Sequence, residues 1–127
     1  MANEVQADHC GPLHERPAGA DLTGKEGYAV VIDSSSTLQL AGAGVRAHGI
    51  LKRGGASGVS CTYAVFNGDW HMVVLGGTVV AGDLLVVDSA GKFVLSTTGE
   101  LGMGCAIEGG ASGEMVTVQA EYLGPVV

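Results

Sequence analysis

His9, Cys10 and His14, flanked by Asp8 and Glu15, form the one close grouping of metal-ligand residue types in this 127-residue sequence. Zinc takes three or four such ligands in a supported geometry. A terminal stretch that also holds Pro12 and Pro17 supports such a geometry poorly, and no Cys-x2-Cys pair stands elsewhere. A mononuclear site would have to borrow His48 or His71, so no metal centre is expected. Nucleophilic catalysis needs a Ser or Cys held beside a base and an orienting acid. The chain has no Gly-x-Ser-x-Gly, and its serines crowd into turn-like stretches. Gly54-Gly55-Ala56-Ser57-Gly58 lacks the Gly-Lys-Ser/Thr ending and the following helix of a phosphate loop. Asp33 and Asp88 sit in equivalent turns rather than as an acid–base pair. Trp70, with Asn67, Asp69 and His71 close by, could stack on a sugar ring. The reading is a protein with no catalytic residues, no metal and no cofactor.

The bulk composition narrows the class. Hydrophobic residues make up 46%, aromatics only 5%, and there are 22 glycines. That mixture suits short strands and tight turns better than helical bundles. A chain of this size buries about two thirds of its unfolded surface, enough for one core and too little for two ordinary domains. The net charge is −7, which argues against nucleic-acid binding by counterion release. The first eight residues carry no basic or apolar leader, and no apolar run reaches the length of a membrane span, so neither secretion nor membrane partners are expected. Three widely spaced cysteines, Cys10, Cys61 and Cys105, are no disulfide framework and fit a reducing cytoplasm.

The most informative feature is an internal duplication. The five residues Gly54 to Gly58 recur unchanged as Gly109 to Gly113, an offset of 55. Holding that offset without gaps aligns 27–66 with 82–121 and gives 13 identities in 40 positions. Shared glycines fall at turn positions while apolar residues match apolar ones, as in Val30/Leu85, Ile32/Val87 and Leu38/Phe93. A duplicated supersecondary unit accounts for this. Gly54, Gly55 and Gly58, with Gly109, Gly110 and Gly113, are read as structural turns.

Each copy reads as four strands. The first predicts strands over Tyr28 to Ile32, Leu38 to Leu40, Gly49 to Arg53 and from Cys61 onward. The second predicts Leu84 to Val87, Phe93 to Leu95, Gly104 to Glu108 and Met115 to Tyr122. Period-2 alternation sends Val116, Val118 and Ala120 inward, and Cys61 takes the place of Val116 as a packing residue. The fold class is all-β: a small β-barrel or sandwich of two tandem pseudo-symmetric repeats, with approximate internal two-fold symmetry. Repeat one spans about 21–66, a linker strand lies within 67–80, and repeat two spans about 81–123. Residues 1–20 form an extended N-terminal arm, weakly tied to the 21–127 body, that orders against a partner through residues such as Val5, Pro12, Leu13, Arg16 and Pro17. Residues 21–78 carry four basic and four acidic groups, whereas 79–127 carry one basic and six acidic. The two halves therefore differ chemically, with Arg46, Lys52 and Arg53 opposite Leu101, Ile107 and Glu108.

Three stretches carry a family resemblance: Val79-Val80-Ala81-Gly82-Asp83-Leu84-Leu85-Val86-Val87-Asp88, then Gly104-Cys105-Ala106-Ile107-Glu108, then Ser112-Gly113-Glu114-Met115-Val116-Thr117-Val118. The layout resembles the capsid decoration (cement) proteins of tailed bacteriophages. The first copy departs from it at Val59, where the second has Glu114, and the His9/Cys10/His14 arm matches no pattern of that family. The resemblance implies a non-enzymatic virion protein, made in the bacterial host cytoplasm and bound to the outer surface of the expanded shell. Its partner would be the major capsid protein, it would act as a homotrimer, and the arm residues Val5, Pro12, Leu13, Arg16 and Pro17 would supply capsid contacts. The alternative is a small β-barrel module that binds a glycan or protein at Trp70.

Overall fold

Short β-rich segments separated by glycine and Asx turns leave no room for helices, and the computed structural model, which describes residues 13–97 and 101–125, contains ten strands and no helix among them. The first five are β1 (Leu13–Pro17), β2 (Ala29–Ile32), β3 (Leu38–Leu40), β4 (Gly49–Arg53) and β5 (Ser60–Val65). The second five are β6 (Trp70–Val74), β7 (Leu84–Val87), β8 (Phe93–Leu95), β9 (Leu101–Ala106) and β10 (Met115–Pro125). They form two antiparallel sheets, ordered β1-β5-β4-β2-β3 and β6-β10-β9-β7-β8. The order is the same in both. The two sheets are not closed into one barrel; they pack as a sandwich of two repeats.

The duplication is longer than a gapless alignment reveals. β1 and β6 are counterparts at an offset of 57 rather than 55, so the linker strand is the first strand of the second repeat. Backbone hydrogen bonds repeat the equivalence: Ala18 N donates to Val59 O as Leu75 N does to Glu114 O, and Leu22 N to Gly55 O as Val79 N does to Gly110 O. By Gly27 and Gly82 the offset has returned to 55, because the loop after Leu22 is two residues longer than the loop after Val79. Residues 13–17 are accordingly an edge strand laddered to β5, with Leu13 opposite Ala64 and Pro17 opposite Ser60. This ties the end of the expected loose arm to the body, and it suits proline, which is tolerated on edges. β9 begins at Leu101 rather than Gly104, because β10 runs on past a register shift and pairs Gly124 with Gly102 and Pro125 with Leu101.

The glycine turns do in both halves what their sequence requires. Gly58 and Gly113 hold φ of 86° and 89°, conformations that cost other residues about 1 kcal/mol. A Cβ on Gly54 would strike the Leu22 carbonyl, and one on Gly109 would lie 2.8 Å from that of Val79. The acidic residues of the repeat motif serve as turn acceptors. Asp83 Oδ2 takes the Val80 N–H at 2.9 Å and Glu114 Oε1 takes the Ala111 N–H at 2.7 Å. In the first copy the Val59 side chain packs near Gly55 instead, which accommodates the departure from the motif.

The two halves stack in tandem, not about a two-fold axis. In the first sheet the row Ala29, Ile50 and Ala64 crosses β2, β4 and β5, and all three are fully buried. Ala29 and Ile50 share a core with Val73, Leu85, Phe93, Val116 and Val118 of the second sheet. Burying a side chain such as Ile50 or Phe93 stabilises by about 1.5–3 kcal/mol. The other side of the first sheet makes a core of its own, with Val30, Leu51, Cys61 and Tyr63 packed against Ala18, Leu22 and Leu38. The repeat counterparts of those seven residues all lie in the shared core. One half therefore uses its outer face to cover the inner face of the next. A two-fold would have placed equivalent faces together.

Candidate functional site

Two surfaces carry the residues singled out from the sequence. The first is the edge strand β1. Leu13, Arg16 and Pro17 are exposed there, and alternation along the strand points Leu13 and Pro17 away from the face that carries His14 and Arg16. His14 lies against Tyr63, ring centres 5.7 Å apart, and Glu15 approaches Arg53 at 3.8 Å on an open surface. Such an exposed pair adds little stability. Val5 and Pro12, and the ligand-type residues His9 and Cys10, lie outside the described residues. Among the described residues no group of three or more His, Cys, Asp or Glu is placed to hold a metal ion.

The second surface is the outer face of the second sheet. Ladder register aligns Trp70, Gln119, Cys105 and Leu84 in one row across β6, β10, β9 and β7. Met72 and Thr117 make a second row, and Val74 and Met115 a third. Trp70 is 63% exposed, Met115 45%, Met72 44% and Leu84 38%. The Trp70 indole therefore stands free on an edge strand instead of filling the core. Leu13 and Trp70 are repeat counterparts on the edges of two different sheets, so the structure does not gather them into one site. The sequence pointed to Trp70 but not to Met72, Met115 or Leu84. The available signal was alternation in β6, β7 and β10, which puts these apolar residues on the side opposite Val73, Leu85, Val116 and Val118.

The remaining candidates have structural work. Cys61 is fully buried, its thiol 3.4 Å from the Val59 carbonyl, and burial raises its pKa. The six turn glycines stand where expected. Asp33 accepts the Ser35 and Thr37 amides at 2.9 and 3.0 Å, the Thr37 hydroxyl at 2.6 Å and the Gln39 amide at 3.1 Å. Those bonds, led by Thr37, hold its carboxyl far below the ordinary range. Asp88 accepts the Ala90 and Lys92 amides at 2.8 and 3.0 Å in the equivalent turn. Both carboxylates are committed to the turns.

The geometry defines a class: two five-stranded antiparallel sheets from a tandem duplication, stacked outer face on inner face, with exposed apolar residues on the outer face of the second sheet. No protein-family model and no curated protein matches the chain. Among solved structures, the N base of the head fibre gp8.5 of bacteriophage phi29 shares the fold with a TM-score of 0.69. The two are 15% identical, and the match covers 86% of this chain and 92% of that one.

Proposed function

We propose that this chain is a non-enzymatic structural protein of a bacteriophage virion. It binds the outer surface of the capsid and stabilises the expanded shell by bridging neighbouring subunits of the major capsid protein. The observation that carries the reading is the fold shared with a phage head-fibre base across nearly all of that domain. The repeat motif resembling decoration proteins points the same way, and so do the exposed apolar residues Trp70, Met72, Leu84 and Met115 on the outer face of the second sheet. A rigid sandwich transmits load between subunits, and arm residues 1–12 leading into β1 add a second point of attachment. As a homotrimer, three modest contacts act together through avidity. The test is co-sedimentation with purified expanded shells and compact procapsids. Binding to expanded shells and not procapsids, with a raised shell melting temperature, is the expected result; equal binding to both would overturn it. A second reading has one observation in its favour, the exposure of Trp70. As a glycan-stacking residue it would show saturable quenching of its fluorescence across a glycan panel.

A further inference from the structure

The second repeat is an internal control for the first: chemistry present in one copy and absent from its counterpart is not demanded by the fold. Residues 46–48 are Arg-Ala-His, whereas the equivalent residues 101–103 are Leu-Gly-Met. Leu101 and Gly102 are zipped onto the end of β10 as the start of β9. Among the described residues the segment before β4 has no such ladder with β10; its His48 N donates to Val30 O of β2, and it lies against Tyr122 of β10, leaving a cleft of about 310 Å³ lined by Arg46, Ala47, His48 and Tyr122.

Both donors in this cleft are held in place. The Arg46 guanidinium lies 3.8 Å from the centre of the Tyr122 ring. Phe66 stacks on that ring at 5.1 Å and 11°, which requires the opposite face, and the Tyr122 hydroxyl donates to the Ala47 carbonyl. Stacking fixes the plane of the guanidinium and leaves its N–H edge for another partner. Among the described residues it forms no ion pair. His48 is exposed, and its Nδ1 accepts the Ile32 N–H at 2.9 Å. The neutral ring therefore carries its proton on Nε2, as a donor. Among the described residues no acidic side chain lines the cleft, although the protein as a whole carries −7.

The geometry points to a carboxylate-binding site in this cleft, with Arg46 supplying a planar pair of N–H donors and His48 Nε2–H a further one. Preorganised donors of this kind lose little entropy on binding. The carboxylate comes either from a small organic acid or from a Glu or Asp side chain of a docked protein, and the experiment separates the two. Labelled protein is titrated with succinate, with a capped tri-glutamate peptide, and with a capped tri-glutamine peptide in sodium chloride of matched ionic strength. The side-chain N–H of Arg46 and the ring of His48 are followed by NMR.

Saturable shifts with succinate and the glutamate peptide alike assign a free carboxylate ligand. Shifts with the glutamate peptide alone assign a protein side chain. Arg46→Gln is expected to weaken binding about tenfold or more, with Arg46→Lys intermediate because ammonium lacks the planar fork, and His48→Gln about threefold. An unchanged amide spectrum around Tyr122 shows that these variants remain folded. Equal shifts from chloride and the glutamine peptide, or a glutamate response unaffected by Arg46→Gln, overturn the site.

Discussion

Ala29 and Leu84 occupy the same strand position in the two repeats, yet Ala29 is sealed between the sheets while Leu84 is 38% exposed. The small residue sits where the outer face of one half must approach the inner face of the other. The large one sits on the outer face of the second half, where its side chain stays partly open. The difference records the direction of stacking, and it makes the two positions respond unequally to substitution.

Ala29→Leu, which gives the first repeat the residue of the second, adds three carbons to a closed interface and is expected to cost about 1–3 kcal/mol. Leu84→Ala removes partly solvated atoms and is expected to cost less than about 1 kcal/mol. Chemical denaturation of both variants checks this. Equal losses would contradict the tandem arrangement.

The glycine turns give a second comparison. Gly58→Ala and Gly113→Ala meet open space, and their cost is the left-handed backbone alone, about 1 kcal/mol each. Gly54→Ala meets the same class of turn with a backbone carbonyl in the way and is expected to lose more, about 2 kcal/mol or above. The ordering in urea midpoints is the readout.

Much of this architecture is legible in the residues. Leu38 to Leu40 and Phe93 to Leu95 are strands with the bounds that alternation and the flanking Asp turns give them, because short strands between Asx turns have little freedom to slip. The β1–β6 equivalence is hidden, because two extra residues between Leu22 and Gly27 break the constant offset and His14/His71 is their one identity. The stacking direction is hidden for another reason: Ala29 and Leu84 are both apolar, and patterning does not say which partner covers a face. Of the candidate surfaces, Leu13 and Trp70 could be read from the sequence. The pairing of Arg46 with Tyr122 could not, since 76 positions separate them and only the contrast of Arg46 with Leu101 hinted at it.

The two parts of the N-terminal region are expected to separate in function. Removing residues 1–12 leaves β1 in place, so the thermal melt should move by no more than about 2 °C, while affinity for shells falls at least about tenfold, or 1.4 kcal/mol. Removing residues 1–17 strips the ladder partner from β5 and leaves its backbone groups unpaired. That deletion should lower the melting temperature by about 5 °C or more. Identical melts for the two truncations would show that β1 contributes nothing to the body.

His71 is expected to carry the acid sensitivity of the sandwich just below neutral pH. It is 7% exposed on the inner face of the second sheet, and among the described residues its Nε2 has no hydrogen-bond partner. Burial lowers its pKa first, Lys52 from the facing sheet adds to that, and Asp69 beside it opposes. Lys52 is itself pushed down by burial. A base whose pKa is lower in the folded state takes up its proton more readily when unfolded. Stability is therefore full above the ordinary histidine value of about 6.5 and falls as pH drops from there toward the depressed folded value. Asp33 acts in a different window, since its lowered pKa makes its contribution present above about 4 and lost only at lower pH. His71→Leu should be at least as stable as the native chain at pH 7.5, because it removes an unpaired buried nitrogen, and should lose at least half of the native decline between pH 6.5 and 5. A slope unchanged by His71→Leu would assign the acid sensitivity elsewhere.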